Sequence, residues 1–459
     1  MDALSVVKSI NKVIWDYFLL YGLVGVGIFF TLYLGFPQIR RFGKMFSTTF
    51  GGIFKPKAEG EVSSFSALAV AIAAQVGTGN IAGVATAIMT GGPGAIFWMW
   101  ITGIVGMSTI FAEAVIAQKY RQKTPDGYIG GPAYYMRNGL KNKSLGRGLA
   151  AFFAIAIILA LGLIGNMVQS NSISQAVFKA ANERIPLVII GIIIAVLAAL
   201  VFIGGLQRIA NFATLVVPIM AIIYIIFGVV ILVKFRAQIG PVFSDIFSSA
   251  FSGKAAVGGA LGFTVRQAMQ KGVARGLFSN EAGMGSTPHA HASARVDHPA
   301  EQGFTAMMGV LVDTGVVCTF TALIILLTGA NLLGLEGAQV TQAGFEEAFG
   351  HIGVILLAVC LAFFAFTTII GWYYFAETNI LYLFGRKGLR PFQLIVVAFI
   401  ILGSMFKVEL VWELADMFNG IMAIPNLIAL ILLSSQIKEI AKDYKKCEKE
   451  GLIHYDYLQ

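Results

Sequence analysis

The chain has 459 residues, of which 57% are hydrophobic and only 12% charged, and its mean hydropathy is +0.79. A soluble protein carries about 25% charged residues, so the composition excludes an ordinary water-soluble protein. The formal net charge of +9 fits basic loops on the cytoplasmic side of a membrane protein better than a nucleic-acid partner. We therefore predict one transmembrane domain over residues 1–459.

A spanning helix takes about 20 mostly apolar residues, and ten segments pass this test fully or nearly. In chain order they are 17–36, 64–90, 94–118, 148–177, 186–204, 210–233, 303–328, 350–383, 391–406 and 411–435. An eleventh segment, 256–288, is weak because it contains Arg266, Lys271, Arg275 and Glu281. The runs are far too long for barrel strands, so the predicted fold class is an all-α integral membrane protein with 11 transmembrane helices.

The distribution of basic residues predicts the orientation. Lysine and arginine are concentrated in four stretches, which are 37–63 (with Lys55 and Lys57), 119–147, 384–390 and the tail 436–459. Such stretches favour the cytoplasm, and they share one side only if eleven helices are threaded. Stretch 329–347 contains three glutamates and no basic residue, and falls on the other side. We expect a multi-pass protein of the cell membrane with its N-terminus outside and its C-terminus in the cytoplasm.

The predicted helices divide into two halves. Helix 17–36 is an addition at the N-terminus, and the rest forms two five-helix halves, 64–233 and 256–435. An odd number of helices per half inverts one half relative to the other, as in many secondary transporters. The inverted repeat is predicted from helix count, not from sequence identity between the halves.

The first helix of each half is interrupted by glycines. Residues 75–83 read Gln-Val-Gly-Thr-Gly-Asn-Ile-Ala-Gly, and residues 272–285 read Gly-Val-Ala-Arg-Gly-Leu-Phe-Ser-Asn-Glu-Ala-Gly-Met-Gly. Unwinding frees N–H groups, which suit a carboxylate, and carbonyls, which suit Na⁺ or an ammonium group. Close helix packing is the alternative explanation for the glycines. The interleaved polar residues favour a binding site; they are Thr78, Asn80, Ser279 and Asn280.

The stretches 77–83, 91–95 and 272–285 resemble those of the alanine or glycine:cation symporter family, and the resemblance covers essentially the whole chain. It implies a leucine-transporter-like fold of five plus five inverted helices, with discontinuous first and sixth core helices and one extra helix in front. It also implies a transporter, not an enzyme, that takes up alanine or glycine with Na⁺ or, in some relatives, H⁺.

The resemblance also implies an ion site at the first break. The carbonyls of Ala73 and Val76 would face Na⁺, together with the hydroxyls of Thr367 and Thr368. Hard oxygen donors of this kind suit the cation. Some proton-coupled relatives place a lysine from the fifth core helix in this site. Segment 210–233 corresponds to that helix and contains no lysine, which favours Na⁺.

The substrate site implied by the resemblance uses both breaks. The N–H groups of Thr78 and Gly79 would hold the substrate carboxylate, and the carbonyls of Gly276 and Ser279 would face its ammonium group. Asn80 would take part in substrate binding or in a second Na⁺ site, whose other ligands do not map onto this sequence.

Three further polar residues share one face of a helix. Asn166, Gln169 and Ser170 lie at i, i+3 and i+4 and therefore share that face. In the fold that the resemblance implies, this helix lines the substrate site, so Gln169 or Asn166 is expected to contact the substrate, with interhelical hydrogen bonding as an equal alternative. Phe278 and Trp372 are candidates to cover the small side chain of the substrate, although aromatic residues in apolar helices mostly pack.

Ionisable residues inside apolar helices are rare and often functional. We expect Glu113 and Glu377 to lie near cytoplasmic helix ends and to snorkel or pair with loop arginines, and we expect Asp313 to serve a proton or ion role. Arg275 and Glu281 are expected to form an ion pair near the second break.

His289, His291 and His298 are expected to lie on a solvated helix end rather than to bind a metal. The function predicted from all these features is Na⁺-coupled uptake of alanine or glycine by a monomer. An H⁺-coupled carrier with Asp313 in the proton path and a carrier of wider amino-acid specificity remain alternatives.

Overall fold

The structure is a computed structural model. It describes residues 3–51, 62–125, 127–252, 264–406 and 408–455. Several predicted features lie outside the described residues; they are Lys55 and Lys57 of the first basic stretch, 256–263 of the weak segment, and 456–459 of the tail.

Nearly all of the described chain is helical. The helices up to residue 252 are α1 Ala3–Val13, α2 Leu20–Tyr33, α3 Pro37–Arg40, α4 Phe42–Gly51, α5 Ser64–Gln75, α6 Val84–Gly91, α7 Gly94–Lys119, α8 Pro132–Gly139, α9 Lys143–Ile157, α10 Asn166–Ala180, α11 Leu187–Phe202, α12 Gly205–Lys234 and α13 Ile239–Ser252. The later ones are α14 Val265–Asn280, α15 Pro288–Ser293, α16 Pro299–Val310, α17 Thr319–Thr328, α18 Ala338–Phe349, α19 His351–Phe384, α20 Leu389–Met405, α21 Val408–Leu432 and α22 Ser434–Glu450.

Short π-helical and 3₁₀ stretches connect or extend these helices. The π-helical stretches are Ile14–Leu19, Gly79–Gly83, Ile158–Gly165 and Leu311–Cys318, and the 3₁₀ turns are Arg236–Gln238, Ala330–Leu332 and Gly385–Gly388. Two small strand pairs complete the structure. β1 Val62–Ser63 runs parallel to β4 Ala294–Arg295, and β2 Gln122–Thr124 forms an antiparallel hairpin with β3 Gly127–Ile129.

All ten clear apolar segments of the sequence are mostly helical in the structure, with 64–90 interrupted at its glycines, which confirms an integral membrane protein of helical type. Among the described residues, seven helices are long and apolar enough to cross a membrane, or eight if the bent pair Ser64–Gln75 and Gly79–Gly91 counts as one span. One of the seven, His351–Met405, contains two of the predicted segments. The first helix is longer than predicted, because it extends back to Ala3 through a π-helical turn.

Burial separates a lipid-facing layer from a polar interior. On α12 the aliphatic side chains of Leu215, Ile219 and Ile222 are more than half exposed, as expected where lipid replaces water. Helix α5, in contrast, is buried at every position from 66 to 75. A helix buried on all sides lies at the centre of a bundle, so the first break is at the centre of the molecule.

The stretch 329–347, which the sequence places in a loop, contains a packed helix. Helix α18 buries Val340 and Phe345 against α17 and α19. The hydroxyl of Thr341 on this helix donates to the Ile81 carbonyl at 3.2 Å. The helix therefore covers one side of the first break. It forms because its apolar residues recur at helical spacing, even though its ends are polar.

Candidate functional site

The first break lies between α5 and the π-helical turn Gly79–Gly83. Val76 leaves the helix with φ −82° and ψ 91°, and the helix axis bends by 51° across the break. The Asn80 side-chain oxygen accepts a hydrogen bond from the Gly77 N–H at 2.8 Å, which satisfies one of the freed amides. A Cβ atom at Gly77 would lie 2.4 Å from the Thr368 hydroxyl oxygen, so only glycine fits there without displacement.

Helix α19 brings the Thr368 hydroxyl to the unwound carbonyls. Its oxygen lies 3.0 Å from the Ala73 carbonyl oxygen and 3.3 Å from that of Val76. It also lies 3.0 Å from the Phe364 carbonyl oxygen, one turn earlier on α19. A hydroxyl has one proton and can donate fully to only one of these three acceptors. Three of the four predicted Na⁺ ligands are thus brought together.

The fourth predicted Na⁺ ligand is oriented differently. The Thr367 hydroxyl donates to the Phe364 carbonyl at 2.9 Å and contacts the Met220 sulfur at 3.5 Å. Neither contact involves Ala73 or Val76. Adjacent residues on a helix point about 100° apart, which explains why only one of the two threonines faces the break.

The predicted carboxylate-binding amides are next to Gln169. The Thr78 N–H donates to the Gln169 side-chain oxygen at 3.2 Å. The Asn166 amide donates to the Gly162 carbonyl at 3.0 Å, within its own helix. The Thr78 hydroxyl and the Asn166 side-chain oxygen are both buried and have no hydrogen-bond partner among the described residues. Unsatisfied buried polar atoms are uncommon and call for a missing partner.

The second break follows α14. The helix ends at Asn280, Glu281 has a positive φ of 58°, and helix formation resumes only at Pro288. The two breaks touch, because a Cβ atom at Gly79 would lie 3.3 Å from the Phe278 ring and 3.4 Å from the Ser279 Cα. Gly276 lies against α7, where a Cβ atom would come within 2.6 Å of the Thr102 hydroxyl.

Asp313 connects the two breaks. One of its carboxylate oxygens accepts from the Asn80 amide at 2.5 Å and from the Ser279 hydroxyl at 2.9 Å. The other accepts from the neighbouring Thr314 hydroxyl at 2.8 Å. Asp313 lies in the π-helical stretch Leu311–Cys318 and is fully buried. A carboxylate in this position ties residues beside both breaks to the π-helical stretch between α16 and α17.

Glu113 does not snorkel, contrary to the sequence-based expectation. It is fully buried on α7, and its carboxylate accepts from the N–H groups of Gly283 and Gly285 at 3.1 and 2.9 Å. The Asn426 amide is a third donor at 2.7 Å. The carboxylate therefore caps the amides that the second break leaves free. A glutamate in an apolar helix indicated a functional residue, but its hydrogen-bond partners are distant in sequence and could not be predicted.

The prediction of an ion pair between Arg275 and Glu281 is wrong. Arg275 instead forms a two-pronged pair with Asp416 of α21, at 2.9 and 2.8 Å. Its guanidinium also lies 5.8 Å from the Phe278 ring centre. Glu281 accepts from the Trp372 indole N–H at 2.6 Å and from the Ser286 hydroxyl. Residues 275 and 281 are six apart, which is not a facing interval on a helix.

Trp372 lies beside the site but is fixed by packing and by Glu281. A Cβ atom at Gly165 would lie 2.7 Å from the indole ring, so the ring fills the space that this glycine leaves on the π-helical stretch before α10. Glu377, on the same helix as Trp372, is also mostly buried. Its burial argues against snorkelling, and its expected pairing with a loop arginine stays a prediction.

The three histidines are buried, not solvated. His289, His291 and His298 each have no exposed surface. The His289 Nδ1–H donates to the Ser286 carbonyl at 2.6 Å, and its Nε2 accepts from the Asn379 amide at 2.8 Å. His298 caps α16 by accepting from the Ala300 N–H at 3.0 Å. Helices α5, α7 and α19 pack against α15 and cover this region, which the local sequence does not reveal.

This arrangement offers freed amides, converging oxygens and buried carboxylates at the centre of a membrane protein. A family model described as the sodium:alanine symporter family matches residues 1–457. The chain belongs to the sodium:alanine symporter family. As a member of this family it is a transporter rather than an enzyme.

Curated relatives of the transporter match over nearly their full length. The sodium/alanine symporter AgcS of Methanococcus maripaludis is 43% identical over 98% of this chain and 99% of its own. The amino-acid carrier protein AlsT of Bacillus subtilis is 41% identical over 98% of this chain and 93% of its own. A third relative from Bacillus subtilis, named "Probable sodium/glutamine symporter GlnT", is 42% identical over 99% of this chain and 94% of its own.

Proposed function

We propose that this family member is a secondary active symporter that couples inward Na⁺ flow to uptake of alanine or glycine by alternating access. The observation that supports this most strongly is the meeting of the Thr368 hydroxyl with the carbonyls of Ala73 and Val76. With Na⁺ between these oxygens, the hydroxyl donates its proton to the Phe364 carbonyl and turns a lone pair toward the ion. The three oxygens then act as hard ligands.

The substrate would bind as a zwitterion against the same unwound segment. Its carboxylate takes the amides of Thr78 and Gly79, and the Gln169 oxygen, which now accepts from Thr78, gives way. The unpartnered Thr78 hydroxyl can then donate to the carboxylate, and the Asn166 oxygen can accept from the ammonium group. These two buried oxygens gain hydrogen-bond partners when the ligand is present, and the freed backbone amides gain a charged acceptor.

The close approach of the two breaks limits the size of the substrate. Gly79 is in contact with the Phe278 ring and the Ser279 backbone. Phe278 lies beneath the pair of Arg275 and Asp416, so it would cover the substrate from the side of that ion pair. A hydrogen or methyl side chain fits this space best, which favours glycine and alanine.

The proposed architecture is the leucine-transporter-like plan. Eleven helices cross the membrane, with one extra helix before two inverted repeats at 64–233 and 256–435. The N-terminus lies outside the cell and the C-terminus inside, and the protein acts as a monomer in the cell membrane. In this plan α5 and α14 are the first halves of the first and sixth core helices, and each breaks at the substrate.

The second candidate is proton coupling through Asp313. The observation that favours it is the contact of this carboxylate with both breaks, through Asn80 and Ser279. Protonation would weaken both hydrogen bonds and loosen the two segments together. Asp313→Asn distinguishes the candidates. A proton carrier loses its pH dependence of uptake, whereas a Na⁺ carrier retains Na⁺-driven uptake with an unchanged pH profile.

A wider amino-acid specificity is favoured by the name of the relative GlnT, which gives glutamine as its substrate. Competition resolves this point. Excess glutamine or leucine leaves alanine uptake unchanged in a small-substrate carrier and inhibits it in a wider one.

The main experiment is uptake of radiolabelled alanine into proteoliposomes. An inward Na⁺ gradient is expected to drive accumulation above equilibrium, and an equal K⁺ gradient is not. Accumulation that needs only an inward proton gradient would favour the second candidate. Passive equilibration without any gradient effect would contradict symport.

A further inference from the structure

A cavity of ≈ 280 Å³ lies between the turn after α2 and helices α7, α16 and α22. Three cationic side chains form one part of its wall; they are Arg40, Arg41 and Lys445. Phe111, Phe304 and Tyr444 form much of the rest. One part of the cavity wall is therefore positively charged and another part is aromatic.

The positive charge of this cavity is only partly neutralised. Glu448 pairs with Arg41 at 2.6 Å and with Lys44 at 3.5 Å. Burial by itself raises the pKa of Glu448, but the charges of Arg41 and Lys44 outweigh it and hold that pKa below its ordinary value, so the carboxylate is ionised at neutral pH. Arg40 and Lys445 form no ion pair within the described residues. Two cations therefore remain available to an anion.

Helix α4, beside the cavity, has the character of a helix that lies at a membrane surface. Its rings Phe42, Phe46 and Phe50 are exposed by 47%, 38% and 50% and follow at intervals of four residues. Met45 and Thr49 on the other face are buried. An amphipathic helix with an exposed apolar stripe lies in the headgroup layer of a bilayer. The cavity is then at the depth of lipid phosphates.

We propose that this cavity binds the headgroup of an anionic phospholipid. Arg40 and Lys445 hold the phosphate, and the aromatic wall of Phe111 and Phe304 contacts the glycerol and the start of an acyl chain. Basic pockets between membrane helices are suited to such headgroups. A free phosphate would use the cations but not the apolar wall or the exposed stripe of α4. The bound lipid would tie α22 to α16, the helix that carries Asp313 in its π-helical continuation.

Native mass spectrometry of the delipidated full-length protein tests this proposal. The probes are phosphatidylglycerol, phosphatidylcholine with the same acyl chains, and inorganic phosphate. We expect the first phosphatidylglycerol to bind more tightly than phosphatidylcholine. The double variant Arg40→Gln with Lys445→Gln is expected to weaken that first binding event by about 30-fold, on the basis of two lost cation contacts.

Two controls separate charge from folding. Lys442→Gln removes one positive charge from an exposed position of α22 outside the cavity, and is expected to leave the affinity unchanged. The exchange Arg40→Lys with Lys445→Arg keeps both charges and is expected to retain binding. Equal affinity for the two lipids, wild-type affinity in the double variant, loss of binding in the charge-keeping exchange, or displacement of the lipid by millimolar inorganic phosphate would each overturn the proposal.

Discussion

Gly77→Ala tests the proposed ion site with the smallest possible change. Gly77 is absent from the positions with positive φ, so alanine is allowed by the backbone and the effect is purely steric. The added Cβ atom would lie 2.4 Å from the Thr368 hydroxyl oxygen and 3.1 Å from the Gln169 oxygen. Restoring an ordinary contact moves the hydroxyl by about 1 Å, away from the Ala73 and Val76 carbonyls.

The magnitude follows from the loss of one ligand. A buried oxygen partner that is removed or misplaced costs about 1–3 kcal/mol. The Na⁺ concentration for half-maximal alanine uptake should therefore rise by about 5- to 150-fold. The assay is initial-rate uptake into proteoliposomes over a range of Na⁺ concentrations, with equal amounts of reconstituted protein.

The chain offers a matched control on the same broken helix. A Cβ atom at Gly83 meets nothing within 4 Å, so Gly83→Ala is expected to transport like the wild type. In a double-mutant cycle, Gly77→Ala should add little to Thr368→Ala, because the displaced hydroxyl is then already absent. A Gly77→Ala variant with wild-type Na⁺ dependence would refute the assignment of this hydroxyl to the ion.

Thr368→Ala should raise the Na⁺ requirement at least tenfold, whereas Thr367→Ala should not, because the Thr367 hydroxyl contacts neither carbonyl of the break; equal effects in a Na⁺ titration of uptake would argue against this distinction. Gly79→Leu should abolish alanine binding, since even a Cβ atom there already contacts Phe278; equilibrium binding of labelled alanine that persists would place the carboxylate elsewhere. Glu113→Gln replaces one carboxylate oxygen by a donor and should lower the free energy of unfolding by about 1–3 kcal/mol; a thermal-unfolding midpoint equal to that of the wild type would contradict the capping role.

The ten clear apolar segments could be predicted from hydropathy because each is a long apolar run, whereas the charged helix α22 and the packed helix α18 could not. The breaks could be predicted because glycine and polar residues interrupt those runs at 75–83 and 272–285. Even the weak segment follows this logic, since Val265–Asn280 is helical despite three basic residues. These are local properties of the chain, and local reasoning is sufficient for them.

Partners distant in sequence could not be predicted. Asp416 is 141 residues from Arg275, and Asn426 is 313 residues from Glu113. The burial of His289 depends on Phe153 and Phe375, which stack on either side of it from other helices. The neighbouring sequence indicated a solvated helix end for the histidine and a nearby ion pair for the arginine. The packing of the helices buries the first and provides a distant partner for the second.

The central claim is that the unwound segment between α5 and the turn Gly79–Gly83 holds Na⁺ and the amino acid side by side. Equilibrium binding of labelled alanine to the purified protein, with NaCl exchanged for choline chloride at constant ionic strength, tests it most directly. The account predicts that Na⁺ tightens alanine binding at least tenfold and that alanine tightens Na⁺ binding by the same factor. Alanine binding of equal strength with and without Na⁺ would contradict it.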